Sequence, residues 1–298
     1  MAYLSAAKAA EKWGVSERSV RNYCAQGRVT GAFLVGKTWQ IPANAAKPER
    51  LNKHTDQPRT LLDVLKAEKA AKLHGGIYHK LQIDLTYNSN HIEGSCLTHD
   101  QTRYIFETNT IGVTDAAIKV DDVVETANHF ICIDMVIASA AHAPSEAFIK
   151  QLHAMLKSGT TDSRQEWFAV GEYKKLPNEV GGRETTAPEN VAAEMKELLA
   201  AYNAVKTKSL DELLDFHVRF ERIHPFQDGN GRVGRLLLFK ECLRHEIVPF
   251  IIGDDLKLFY YRGLSEWDRE RGYLRDTCLT AQDRLKKVLD YFRVPYED

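Results

Sequence analysis
The residues of this chain that could do chemistry together lie in one run, Ile223-His224-Pro225-Phe226-Gln227-Asp228-Gly229-Asn230-Gly231-Arg232-Val233-Gly234-Arg235. His224 is the only member that titrates near neutral pH, so it can take a proton from an attacking hydroxyl. Asp228 offers hard oxygens that suit Mg²⁺, an ion that prefers one or two carboxylates plus phosphate oxygens. Gly229 and Gly231 leave the main chain bare on either side of Asn230, so amide N–H groups can approach an anion with no Cβ in the way. Arg232 and Arg235, three apart in what reads as the first turn of a helix, are expected to project to one side and fork onto phosphate oxygens. Pro225 stiffens the backbone after the base, and Phe226 reads as the apolar pin that anchors the loop. Leu236-Leu237-Leu238-Phe239 then opens an apolar helix, so a loop runs into a helix N-terminus and forms an anion cradle.

The run resembles the signature of the Fic (filamentation induced by cAMP) family, His-Pro-Phe-x-Asp-Gly-Asn-Gly-Arg-x-x-Arg, and every fixed position is present. The resemblance implies a mainly α-helical bundle with a β-hairpin flap, which uses Mg-ATP to transfer AMP onto a Ser, Thr or Tyr hydroxyl of a protein. By position it implies His224 as the base and Asp228 as the Mg²⁺ ligand. Asn230 and the Gly229 to Arg232 amides would hold the α-phosphate, and Arg232 and Arg235 would clamp the outer phosphates. Family members of the Doc kind carry Lys where this chain has Gly231 and transfer the γ-phosphate, so Gly231 implies the AMP-transferring orientation.

Other stretches must be positioned against this loop. Ser89-Asn90-His91-Ile92-Glu93-Gly94 reads as the end of a helix that Gly94 stops, with Thr98 and Gln101 opening the next through a capping box. It also resembles the Fic inhibitory motif, [Ser/Thr]-x-x-x-Glu-[Gly/Asn], carried here by Ser89, Glu93 and Gly94. That implies a pair between Glu93 and Arg235, which would occupy the arginine meant for the γ-phosphate. A carboxylate at a helix C-terminus faces the negative end of the dipole, which favours a dedicated partner. Residues 171–183 are rich in turn formers and resemble the Fic flap, a hairpin whose free edge pairs with the target as an added strand. Tyr173, Lys174 and Val180 are its candidate contacts. The stretch 258–264 resembles the family's Tyr-containing helix, so Tyr260 or Tyr261 could line an adenine pocket, although aromatic residues in a helix also suit a core. Asn128-His129, in the element that begins at Glu125, and Leu152-His153 are expected to pack structurally against neighbouring helix ends.

The first 50 residues carry a net charge of +5, which leaves about −6 for the rest of a chain whose total is −1. Ser5 reads as the cap of a short helix that Gly14 ends, Ser16 caps a second, and a hairpin follows that turns at Gly36-Lys37. This order resembles the winged helix-turn-helix of excisionase and MerR-type regulators. It implies that Arg18, Arg21 and Asn22 face a DNA major groove, while Arg28 and Lys37 meet phosphates. The alternative is a protein-docking module with a solvated basic face. The expected organisation is a winged domain at 1–46, a polar linker at 47–58 and a Fic domain at 59–298, with its inhibitory motif at 89–94 and signature at 224–235.

Five cysteines without a C-x-x-C pair argue against a zinc site and a disulfide framework, and point to a reducing cytoplasm. The N-terminus lacks a secretory pattern, and the longest apolar segment, 130–143, is too short to span a bilayer, so no membrane partner is expected. The expected partners are ATP, a target protein that could be a second copy of this chain, and DNA at 1–46. The oligomeric state is open, a homodimer being one option. Three other functions fit the same residues: removal of AMP with Glu93 positioning water, transfer from another nucleotide-derived donor such as one carrying phosphocholine, and transcription regulation by a nucleotide-sensing domain.

Overall fold
The computed structural model describes residues 2–25, 27–36, 38–48, 60–112 and 117–296. They fall into two compact units, Met1–Gln57 and Pro58–Asp298. In the first, β1 (Tyr3–Leu4) precedes α1 (Ala6–Trp13), α2 (Glu17–Ala25) and a hairpin of β2 (Phe33–Val35) and β3 (Thr38–Pro42). The Ser5 hydroxyl accepts from the Lys8 N–H at 3.4 Å to start α1, and Gly14 ends it at φ 64°, where a residue without Cβ meets no clash. The Ser16 hydroxyl accepts from the Ser19 N–H at 3.2 Å at the start of α2. One face of α1, formed by Ala6, Ala9, Ala10 and Trp13, packs with Val20, Cys24, Val29 and Ile41. β1 joins the outer side of β3, giving the order β1-β3-β2. Two residues are too few to show strand alternation, which is why only the hairpin is legible in the sequence. Lys37, at the hairpin turn, and residues 49–59, most of the expected linker, lie outside the described residues.

The second unit is mainly α, as expected. It runs α3 (Leu61–Ala70), α4 (Ile77–Ile92), α5 (His99–Thr108), α6 (Val120–Ser139), α7 (Glu146–Lys157), a hairpin of β4 (Glu179–Val180) and β5 (Arg183–Glu184), α8 (Pro188–Ala204), α9 (Leu210–Ile223), α10 (Asn230–Arg244), α11 (Lys257–Glu266) and α12 (Gly272–Phe292). Capping boxes open α3 (Thr60 and Asp63), α5 (Thr98 and Gln101) and α9 (Ser209 and Glu212), each satisfying two orphan N–H groups. Pro188 starts α8, where its missing N–H costs nothing.

α10 is the axis. Its middle, Leu236-Leu237-Leu238-Phe239, is apolar in consecutive positions and so faces every side, which calls for burial all round. Val233, Leu236, Leu237 and Phe239 join one core with residues of α4, α6, α7 and α9, while Leu238 and Cys242 join a second with Tyr260, Trp267 and Leu274. Each such Leu or Phe contributes about 1.5–3 kcal/mol relative to exposure. Its far end holds Lys240 and Glu241, each paired at 2.9 Å, and Glu241 also accepts from Tyr202 at 3.0 Å. These buried charges are therefore partnered. Among the described residues no helix is long and apolar enough to cross a membrane.

Candidate active site
α9 ends at His224, whose φ of 50° and ψ of 61° lie in the left-handed region that residues with a Cβ seldom enter. The following Pro225 has no N–H to extend the helix. The ring Nδ1 of His224 lies 3.3 Å from the Glu221 carbonyl. A carbonyl only accepts, so Nδ1 carries the hydrogen and Nε2 keeps its lone pair. Burial lowers the His224 pKa and the Lys174 ammonium adds to that, against the Glu221 carbonyl, Glu93 and Asp228, which pull it up. The net shift is downward, so the ring is neutral at neutral pH, the form a base needs.

The loop after the base is pinned from beneath. Phe226 is fully buried and stacks on His153 with ring centroids 3.9 Å apart and planes 4° from parallel. The His153 Nδ1 accepts from the Gly171 N–H at 2.9 Å, so its Nε2–H donates to the Asp228 carbonyl at 3.1 Å. Burial pushes the His153 pKa down to about 4, which keeps this tautomer uncharged. The Asn230 side chain, expected at an α-phosphate, bonds at both ends to Phe226: Oδ1 accepts its N–H and Nδ2 donates to its carbonyl, each at 2.7 Å. What Asn230, Gly231 and Arg232 leave for an anion is their backbone N–H groups, which open α10 without intrahelical acceptors.

The two arginines part company. Arg232, 4% exposed, turns to Glu125 on α6 and to Asp228, whose Oδ2 lies 3.3 Å from its Nη2. Lys157, 2% exposed at the end of α7, donates to the same two carboxylates at 2.5 and 2.6 Å. Arg235 turns instead to α4. Its Nε donates to the Ser89 hydroxyl at 3.0 Å, and its Nη2 to the Ser89 carbonyl at 2.9 Å and to Glu93 at 2.7 Å. The expectation that both project to one side fails because α6 and α4 flank the start of α10 and each supplies a carboxylate. Desolvation of the half-exposed Asp228 carboxyl would by itself favour the neutral form, but Arg232, Lys157 and the Gly229 N–H outweigh it and hold the carboxyl down at about 2. Burial likewise penalises the Arg235 charge, and Glu93, with Tyr260 and Glu221, more than offsets it, raising its pKa. A Cβ added to Gly231 would lie 2.3 Å from Glu93 Oε1, so that carboxylate sits over the bare backbone where α10 begins.

Residues 143–241 match the Fic/DOC family. Beyond that segment, the protein adenylyltransferase Fic of Drosophila grimshawi is 27% identical over 214 residues, covering 69% of this chain and 42% of its own. The namesake protein of Aedes aegypti is 27% identical over 261 residues, 82% of this chain and 47% of its own. The chain thus spans less than half the length of these curated relatives. A Fic domain containing signaling protein from Bacteroides thetaiotaomicron superimposes with a TM-score of 0.57 at 25% identity, over 77% of this chain and 90% of that one. Fic-1 from C. elegans shares the fold, with a TM-score of 0.60 at 18% identity over 80% of this chain and 73% of that one.

Around this loop the remaining candidates separate. Tyr260 is 1% exposed and its hydroxyl lies 2.6 Å from His217 Nε2, a core position, whereas Tyr261 is 40% exposed with its hydroxyl 3.4 Å from the Ile92 carbonyl at the end of α4. Both border the site: Tyr260 from beneath, where it shares a cavity lined by Ser89 and Arg235, and Tyr261 from the surface beside the end of α4. Val180 is exposed on the hairpin that turns at Gly181 and Gly182, both at positive φ as a tight turn needs. Tyr173 packs inward with its ring 6.0 Å from Phe226, and Lys174 is buried, so neither stands on the exposed hairpin edge. Asn128 donates to the carbonyls of Leu156 and Ser158 at 3.0 and 2.8 Å, and buried His129 bonds Thr86 at 2.9 Å, both packing roles as expected. In the first unit Arg18, Arg21 and Asn22 are exposed on α2, Arg21 is paired with Glu17 at 2.5 Å, and Arg28 covers the Tyr23 ring at 4.9 Å. Lys157 and Glu221 are absent from the sequence reading. Lys157 belongs to no motif, and the only hint of Glu221 is that it precedes the base by one helical turn.

Proposed function
We propose that residues 58–298 transfer AMP from Mg-ATP to a hydroxyl of a protein, and that Glu93 holds this activity down in the resting chain. The names of the relatives support the chemistry. The observation that carries the proposal is the Glu93 carboxylate bonded to Arg235 at 2.7 Å, directly over Gly231 at the start of α10. That ground is what a triphosphate would need: open N–H groups and an arginine free to fork onto oxygens.

In this mechanism His224 Nε2 takes the proton of the target hydroxyl as its oxygen attacks the α-phosphorus in line. The new O–P bond forms as the bond to the β-phosphate oxygen breaks, and pyrophosphate leaves. The N–H groups at the start of α10 and the freed Arg235 act on charge that grows in the transition state. Asp228 fits Mg²⁺, since its carboxyl is ionised and about half exposed even with Oδ2 held by Lys157 and Arg232. When bound, the ion supplies neutralisation of phosphate charge. Arg232 and Lys157 hold Asp228 in place.

Glu93→Gly tests the proposal. With ATP labelled at the α-phosphate, protein labelling is expected to rise at least about fivefold, the low end of ordinary couplings between sites. Adding His224→Ala is expected to abolish it. Labelling by a folded Glu93→Gly chain that stays at the wild-type level overturns the proposal.

A further inference from the structure
The flap hairpin and the catalytic loop meet at one buried ammonium. The Lys174 backbone N–H donates to the Pro225 carbonyl at 2.9 Å. Its Nζ lies 2.7 Å from Asn178 Oδ1, 2.6 Å from the Thr185 hydroxyl and 3.4 Å from the Ile223 carbonyl. Asn178 and Thr185 are the two feet of the hairpin formed by β4 and β5. Ile223 and Pro225 are the residues on either side of His224. Two more bonds run parallel: Asn178 donates to the Phe226 carbonyl at 3.0 Å, and the Leu176 N–H donates to Gln227 Oε1 at 3.2 Å.

We propose that Lys174 is a positioning residue for His224, tying both feet of the flap to the carbonyls that flank the base so that flap and imidazole keep one register. The use of that register, alignment of a target hydroxyl with the base, rests on the AMP-transfer reading above.

The chemistry of the node favours this over simple packing. All three acceptors of the ammonium are neutral, and a buried charge is tolerated only when its donors are satisfied, so the cation demands this one arrangement of hairpin feet and loop. A hydrophobic residue would fill the space and leave both feet free to slide. Burial pushes the Lys174 pKa down to about 8, with Glu194 on α8 opposing. Its charge in turn helps hold the His224 ring neutral, against Glu93 and Asp228. Moving the flap therefore moves the base, and losing the ammonium changes its basicity.

The test uses the full chain carrying Glu93→Gly, with Lys174→Met or Lys174→Arg added. With Met, AMP transfer is expected to fall about 10²-fold, the cost of misplacing a reacting group by an ångström, while KM for ATP stays within about twofold. Arg, which keeps a cation and donors, is expected to restore most of the rate. Followed by NMR, the His224 ring of Lys174→Met should titrate at higher pH than in its parent, and trypsin should cut after Arg183 sooner. If the Met variant unfolds, Asn178→Ala replaces it, with faster cleavage and slower transfer but an unchanged His224 titration expected. A Met variant that transfers AMP at the parent rate, or whose His224 titration and tryptic cleavage match the parent, overturns the proposal. If the Glu93→Gly parent transfers nothing, the activity reading alone fails, and the titration and cleavage still decide the role of Lys174.

Discussion

α10 presents two arginines three residues apart, and its two flanks treat them in opposite ways. On the α6 and α7 side, Arg232 belongs to a network in which Glu125 and Asp228 are each shared with Lys157, and Lys157 reaches Asp162 as well at 3.5 Å. Arg232 and Lys157 are 4% and 2% exposed. On the α4 side, Arg235 has one carboxylate, Glu93, whose side chain is 31% exposed and stands on a helix cap that Gly94 turns away. The first set is locked at Glu125, whose side chain is 13% exposed, because removing that carboxylate leaves two buried cations short of a partner. In the proposed function the second is a latch, since the exposed side of Glu93 is open to water or an incoming anion. On that reading two identical residues on one helix divide the work: one holds the acid proposed to bind metal, and the other is the one to be released.

The largest expected effect tests that division. Glu125→Ala leaves Arg232 and Lys157 with Asp228 as their principal acceptor, and should destabilise the fold by about 3–5 kcal/mol. Glu93→Ala leaves Arg235 bonded to Ser89 and open to solvent on the vacated side, and should cost no more than about 2 kcal/mol. Urea unfolding of both variants measures the contrast. Equal losses would mean that the α4 side is as locked as the other, and that Glu93 is a structural carboxylate rather than a latch.

A second effect, no larger for any one residue, concerns the neutral residues that back the two flanks. His129, His153 and His217 are buried, and burial pushes their pKa values down to about 3, 4 and 3. The charges of Arg232 and Arg235 add to the shift of His129. Their folded pKa values lie below the unfolded value, so the unfolded chain takes up protons first as pH falls. Stability is therefore full above about pH 6.5 and declines toward pH 4, by up to about 1.4 kcal/mol per pH unit for each histidine. Asp228, held at about 2, contributes no loss in that window. Urea midpoints from pH 7 to 4 check it, and His153→Gln should flatten the slope by one histidine's share. A level profile would mean that these rings are charged in the fold, leaving His153 without the tautomer that bridges Gly171 and Asp228.

What the sequence showed and what it hid follow the range of the interactions. Caps and turns are local, so Ser5, Gly14, Gly94 and the Thr98–Gln101 box could be read directly, and the apolar run after Arg235 announced a buried helix. Ser89 and Glu93, four apart, share a helix face by the same local rule. The direction of Arg232 was not legible, because its partner Glu125 lies 107 residues away and only tertiary packing brings α6 to that flank. Lys157 sits beside a Ser-Gly turn with nothing in its spacing to mark it. Tyr173 and Lys174 read as surface flap residues because turn formers surround them. Their inward orientation comes from Phe226 and from the carbonyls flanking His224, which no pattern encodes.

The last effect bears on whether Arg235 has one carboxylate or two. Glu221 on α9 is near Arg235, yet its Oε1 is buried without a hydrogen-bond partner, and a Cβ on Gly234 would lie 2.3 Å from it. Burial, opposed by Arg235 and reinforced by Glu93, pushes its pKa up to about 8. The fold then keeps a proton that the unfolded chain releases near pH 4.5, so this group costs stability as pH rises from 4.5 to 8 and nothing more beyond. Glu221→Gln cannot ionise. It should match wild type within about 1 kcal/mol at pH 5 and gain on it steadily up to pH 8, a slope of at most one proton. Parallel stability profiles over that range would mean that Glu221 is already ionised beside Arg235. The arginine would then be gripped by two carboxylates, and releasing Glu93 alone would not free it for a phosphate.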